Sequence, residues 1–400
     1  MLDLETHRFQ GTSSDYVLIV AGIHTSEQSG IEVARWILSQ LQARDSPTRL
    51  SALVIPEVFP DRAAAARTDE FAGRPIDRWR EDIKETRGLY KRRGGTKDPI
   101  EIKVARQFPP PGKPLSILKD NFLKNASGAN LKAGGANVPL LPEIAYLIRV
   151  IEALKPVRIV SVHGKAPRST THLEKARKRG MIAMSDDEIK SWDGRPIRGV
   201  NFAGVFVDPR YAPLEGGSLE ESKFDPKLDP AFPLEGVQDK KRFDSAKNEK
   251  EGRSDDALCL ALAKTIGGED KSLVPGNHLF DADDPKPIVH YAREDDDKDN
   301  PGYSLGDWGP VEVKPDKDGT GARPGAPVFT IEVNANPESW AFWDRQQMVT
   351  EDGKPLPPSP TPSERASGKT PKALANPKFK KDRSKALQTY AKAIVDTILA

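Results

Sequence analysis

The sequence predicts an α/β protein: a mixed, mostly parallel, doubly wound sheet flanked by helices and carrying long polar loops. Three observations predict it. Five short β-branched runs are apolar throughout instead of alternating, which suits strands covered on both faces. Amphipathic segments with helical spacing lie between some of them. The remainder is polar and rich in proline, which accounts for 35 of the 400 residues.

The strands, in order, are "YVLIVAG" (16–22), "LSALVIPEV" (50–58), "VRIVSVHG" (157–164), "VNFAGVFVD" (200–208) and "VFTIEVN" (328–334). After the first comes "SGIEVARWILSQLQ", which stripes Ile31, Ala34, Ile37, Leu38 and Leu41 along one helical face. Before the third comes "LPEIAYLIRVIEALKP", with Ile144, Leu147, Ile148, Ile151 and Leu154 on one face. Pro142 is tolerated near its start and Pro156 ends it. "DALCLALAKTIGG" is helix-like and holds the one cysteine, Cys259, which reads as a buried core thiol and excludes a disulfide framework. The last helix, "SKALQTYAKAIVDTILA", stripes Leu387, Tyr390, Ile394 and Ile398.

Apolar residues make up 37% of the chain and charged residues 30%, so a packed domain with extended polar loops is expected. Residues 212–256, 281–301 and 351–384 supply those loops; the acidic run "EDDDKDN" reads as solvated. The organisation expected is a domain over 1–350, an exposed proline-rich linker over 351–384, and a helix over 385–400 packing back on the domain. Net charge is +2, from 61 basic and 59 acidic residues, which points to neither nucleic acid nor a membrane surface as partner. The opening residues "MLDLETHRFQ" lack a basic segment followed by an apolar one, and no apolar run approaches a membrane span of ~20 residues. A cytoplasmic location is the expectation, or a secreted one if the N-terminus is incomplete. The oligomeric state is left open.

Two strands end in polar residues that a buried strand does not need. "VLIVAGIHTSEQSG" places His24 directly beyond a strand and Glu27 before the next helix. In open α/β sheets ligands bind beyond the carboxyl ends of strands, beside helix N-termini. An imidazole and a carboxylate across one turn can meet at a point, and zinc accepts both. Of six histidines, His163 alone repeats this placement, at the end of "VRIVSVHG"; His7, His172, His278 and His290 lie in polar or terminal contexts. Glu332 stands within the apolar strand "VFTIEVN", and a buried carboxylate is costly unless paired or used. It is placed to serve as a general base.

In order along the chain, "GIHTSEQSG", "VIPEVFPDR", "ARQFPPPG", "LLPEIAYLIRVIEALKPVRIVSVHG", "GYSLGDWG" and "FTIEVN" resemble the motifs of zinc carboxypeptidases of the carboxypeptidase A-like superfamily. The resemblance implies a carboxypeptidase A-like fold and one zinc ion per chain held by His24, Glu27 and His163, with Glu332 as general base. It implies that Arg106 grips a substrate carboxylate, that Arg93 (or Arg80 or Arg92) stabilises the oxyanion, and that Tyr291 (or Tyr303) is the mobile tyrosine. Two positions depart from the pattern: Phe59 and Ala105 stand where the family has asparagine. The activity implied is hydrolysis of the C-terminal peptide or isopeptide bond of a peptide or small amide substrate. Alternatives are an aspartoacylase-like zinc deacylase of N-acyl amino acids, which shares the ligands, and an inactive binding protein of the same fold.

Overall fold

The computed structural model describes residues 4–24, 27–60, 104–118, 120–125, 127–133, 136–164, 185–190, 203–210, 246–268, 270–278, 302–315, 321–334 and 377–400, together with residue 285 and short strand pieces at 89–90, 100–101, 288–289, 348–350 and 373–375. Seven strands form the main sheet: β1 (His7–Phe9), β2 (Tyr16–Ala21), β3 (Ser51–Ile55), β4 (Arg158–Gly164), β5 (Gly204–Asp208), β6 (Ile288–Val289) and β7 (Val328–Val333). Their order is β1-β3-β2-β4-β7-β5-β6. The four central strands β3, β2, β4 and β7 are mutually parallel. β1 runs antiparallel to β3 and β5 antiparallel to β7, so the sheet is mixed.

The five apolar runs all appear as strands of this sheet. β1 is an addition, a three-residue edge whose short, half-polar sequence "HRF" carries no apolar run to betray it. β6, a two-residue pairing beside β5, is likewise too short to read from pattern.

Helices cover both faces. On one face lie α1 (Gln28–Gln42), a long helix over Ala246–Gly267, and the C-terminal helix over Pro377–Ile398. The C-terminal helix packs on α1 and on the long helix. Beneath them lie Val17, Ile19, Ala21, Val160, Val162, Phe329, Ile331 and Val333, and Cys259 is buried in the same core. The helix over Pro142–Leu154 covers the other face, where Leu18, Val20, Ile55, Ile159 and Val328 pack with Ile144, Leu147, Ile148 and Ile151. Side chains alternate along a strand. Ser161 and His163 therefore share the second face with Ile159, and Thr330 and Glu332 share it with Val328.

The C-terminal helix begins at Pro377, within the stretch read as linker. Proline suits a first helical position, and "KFKKDRSK" contains no breaker to delay the start. Residues 351–372 lie outside the described residues.

Tyr390 ties this helix to the sheet. It is fully buried; its hydroxyl donates to the Leu273 carbonyl and accepts the Asn334 backbone N–H at 3.0 Å, just past the end of β7. Burial raises the phenol's pKa, so the group stays a neutral hydroxyl that can do both. Replacing Tyr390 with Phe leaves the Asn334 N–H and the Leu273 carbonyl without this partner. The expected loss is about 1–3 kcal/mol of stability, read as a lower urea midpoint at unchanged m-value.

Candidate metal centre

Two glycines decide where the site forms. Gly22 follows β2 at φ +70°, a left-handed conformation that other residues adopt at a cost, where the chain leaves the strand toward His24. Gly30 lies in the first turn of α1. A Cβ there would stand 2.7 Å from the Val162 carbonyl oxygen and 3.1 Å from the His163 carbonyl carbon. The bare backbone lets the N-terminus of α1 close onto the end of β4, and Glu27, the residue that caps α1, meets His163.

The Glu27 carboxylate sits between two imidazoles. One oxygen is 2.9 Å from His24 Nδ1 and the other 2.8 Å from His163 Nδ1; the second also accepts the Gly164 backbone N–H at 3.3 Å. The two rings meet edge to face, with centroids 5.1 Å apart. Side-chain exposure grades from 34% at His24 to 15% at Glu27 and 12% at His163, so His24 forms the solvent-facing rim and His163 the floor. Burial pushes the Glu27 carboxyl up, but the charges and hydrogen bonds of His24 and His163 outweigh it and hold the group well below the usual carboxylate range.

His163 is held from its far side as well. Ser161, two residues earlier and 3% exposed, places its hydroxyl oxygen 2.9 Å from His163 Nε2. Ser161 was not among the candidates read from sequence. Its one signal is a hydroxyl two positions before the histidine in an otherwise apolar strand.

Ligand atoms of His24, Glu27 and His163 all lie within 4.8 Å of one another, a set able to hold a metal ion. Two imidazoles and one carboxylate are donor types that zinc accepts. Both Nδ1 atoms already face the Glu27 oxygens. Glu332 is the direct cross-strand partner of His163 in the β4–β7 pairing and lies on the same face.

Arg106 belongs to a second cluster. Its Nη1 donates to Asp307 at 2.7 Å. Asp307 is itself fixed at the short helix Leu305–Trp308 by a capping box: Ser304 N–H and Oγ–H donate to its carboxylate, and its own N–H donates to Ser304 Oγ. Phe108 N–H donates to the Tyr303 carbonyl at 3.0 Å. The segments "ARQFPPPG" and "GYSLGDWG", far apart in sequence, are therefore neighbours. Arg323 closes this cluster. Its guanidinium lies 3.8 Å from the Trp308 ring centroid and donates to the carbonyls of Trp308 and Gly309, while burial lowers its pKa to about 10.

Ala105 packs against the second-face core, and Phe59 is buried within it. Tyr303 is buried and takes part in the backbone bridge with Phe108. Arg80, Arg92, Arg93, Tyr291, His172 and His290 lie outside the described residues. His7 bonds to Glu5, away from the triad. No helix among the described residues is long and apolar enough to cross a membrane.

No protein-family model matches this chain, and no curated protein matches it.

The depressed carboxyl of Glu27 carries a pH signature. Its ordinary value is 4.5 and its folded value is lower, so its contribution to stability is complete above about pH 4.5 and is lost as pH falls toward the folded value. Glu27→Gln is expected to be less stable than the parent at pH 6–7, with the difference narrowing as the medium is acidified below about 4.5. Urea titrations of both proteins across that range measure it.

Proposed function

We propose that this protein is a zinc-dependent metallocarboxypeptidase with a carboxypeptidase A-like fold, hydrolysing the C-terminal peptide or isopeptide bond of a peptide or small amide substrate. The observation that carries this reading is the convergence of His24, Glu27 and His163 at the carboxyl ends of β2 and β4. These three residues would hold one zinc ion. When bound, zinc supplies a Lewis acid that acidifies water and polarises a carbonyl.

The chain's own residues divide the remaining work. Glu332 accepts the proton of the attacking water on a carboxylate oxygen and returns it to the leaving amine. Its cross-strand pairing with His163 supports that role. Glu27 would offset the positive charge of a bound metal. Arg106 has one donor engaged by Asp307 and keeps the rest of its fork for a substrate carboxylate. The ion pair also prevents it from rotating freely, so it is preorganised. Arg93 and Tyr291 retain the oxyanion and mobile-tyrosine roles that the resemblance implies.

Metal analysis tests the reading first. About one zinc per chain is expected, lost in His24→Ala and in His163→Ala. Glu332→Gln is expected to keep zinc and to lose about 10²–10⁴-fold in turnover. Parallel assays with C-terminal peptides and with N-acyl amino acids separate the peptidase from a deacylase. A protein with no zinc affinity rules out both, and a zinc-loaded protein inert toward either substrate class would identify a binding protein.

A further inference from the structure

We propose that Ser161 is a positioning residue for His163: its buried hydroxyl holds Nε2 and keeps Nδ1 aimed at Glu27 in either neutral tautomer of the ring. The consequence for metal binding rests on the zinc reading above, whereas the effect on the ring in the metal-free protein does not.

The placement argues for it. In its row of the sheet Ser161 lies between Val20 on β2 and Thr330 on β7, and Val20 is fully buried. A hydroxyl in such a place is costly unless it is hydrogen-bonded, and its oxygen lies 2.9 Å from the His163 ring. With Nδ1 2.8 Å from Glu27 and Nε2 2.9 Å from Ser161, the imidazole is gripped at both nitrogens. At 3% exposure Ser161 is shielded from water that would otherwise substitute for it.

The choice of serine matters because its two neighbours make opposite demands. With no metal bound and the ring neutral, the Glu27 carboxylate accepts only, so Nδ1 carries the proton and Nε2 presents a lone pair. The Ser161 O–H then donates to Nε2. A cation held through Nδ1 would need a lone pair there, so the proton would reside on Nε2, and Ser161 Oγ would accept the Nε2–H hydrogen bond. A hydroxyl rotates between donor and acceptor without moving its oxygen, which neither an alanine nor a carboxylate can do. The ring can pass from its carboxylate-bonded state to its metal-ligating state with both nitrogens satisfied throughout. Partners of this kind beyond the ligands typically govern metal affinity by 10–100-fold.

The test pairs Ser161→Thr, which keeps a hydroxyl, with Ser161→Val, of the same shape without one, and adds Ser161→Ala. In metal-free protein with ¹⁵N-labelled histidine, long-range ¹H–¹⁵N spectra report the His163 tautomer. All four proteins are expected to keep the Nδ1–H that Glu27 demands. The parent and Ser161→Thr are expected to show the Nε2 resonance of a hydrogen-bonded lone pair, and Ser161→Val and Ser161→Ala the shifted Nε2 resonance of an unbonded one. Zinc affinity, measured by chelator competition, is expected to fall about 10–100-fold in Val and Ala and to be restored in Thr. Val and Ala spectra identical to the parent's would overturn the proposal. If the parent binds no zinc, the metal reading fails, and the metal-free spectra still decide the role of Ser161. If Ala does not fold, the Thr–Val comparison carries the same decision.

Discussion

The close approach of α1 to the end of β4 is the constraint on which the rest of the site depends. A carboxylate between two imidazoles cannot form unless the β2–α1 turn and the end of β4 come within hydrogen-bond reach. Gly30 permits this by presenting no Cβ to the Val162 carbonyl. Parallel pairing of β2 with β4 then aligns the two carboxyl ends, so that His24, three residues beyond β2, and His163, near the end of β4, both reach the Glu27 carboxylate. The adjoining pairing of β4 with β7 brings Glu332 beside His163. One backbone contact and two strand registers thus account for the positions of four polar side chains.

The cores on either face keep those registers in place. A parallel sheet clad by helices has little freedom to slip, because a one-residue shift would turn every buried side chain toward the wrong layer. On β4 such a shift would move His163 into the layer of Val160 and Val162 and expose those valines to the site. The C-terminal helix contributes from a distance. Through Tyr390 it holds the chain where it leaves β7, two residues beyond Glu332. Its packing against α1 links the two segments that carry Glu27 and Glu332.

The Arg106–Asp307 pair illustrates how an expectation is refined by geometry. An arginine in "ARQFPPPG" is drawn into a neighbourhood defined by a capped helix turn, a backbone bridge from Phe108 to Tyr303 and a buried Arg323 on Trp308. Buried Asp307 already serves the capping box, and its charge makes Arg106 part of the scaffold as well as a candidate for substrate contact. Ala105 beside it offers only apolar packing, so any grip on a carboxylate rests on the guanidinium without an adjacent amide.

The five long strands, the cores of the longer helices and the candidate ligands were legible from local pattern, although the helix over Ala246–Gly267 starts inside a stretch read as loop. An apolar run of five to seven residues needs a covered sheet, a stripe at helical spacing needs one buried face, and a histidine directly beyond such a run needs a partner. His24, Glu27, His163 and Glu332 were legible on those grounds. Tertiary structure alone decided the strand order, the antiparallel insertion of β5, the edge strand β1 and the early start of the C-terminal helix, since pairing partners and short edges leave no periodic trace. It also decided that Glu27 lies between the two imidazoles, that Asp307 claims Arg106, and that Ser161 holds the far nitrogen of His163. Those are contacts between residues whose spacing in the chain carries no information about their distance in the fold.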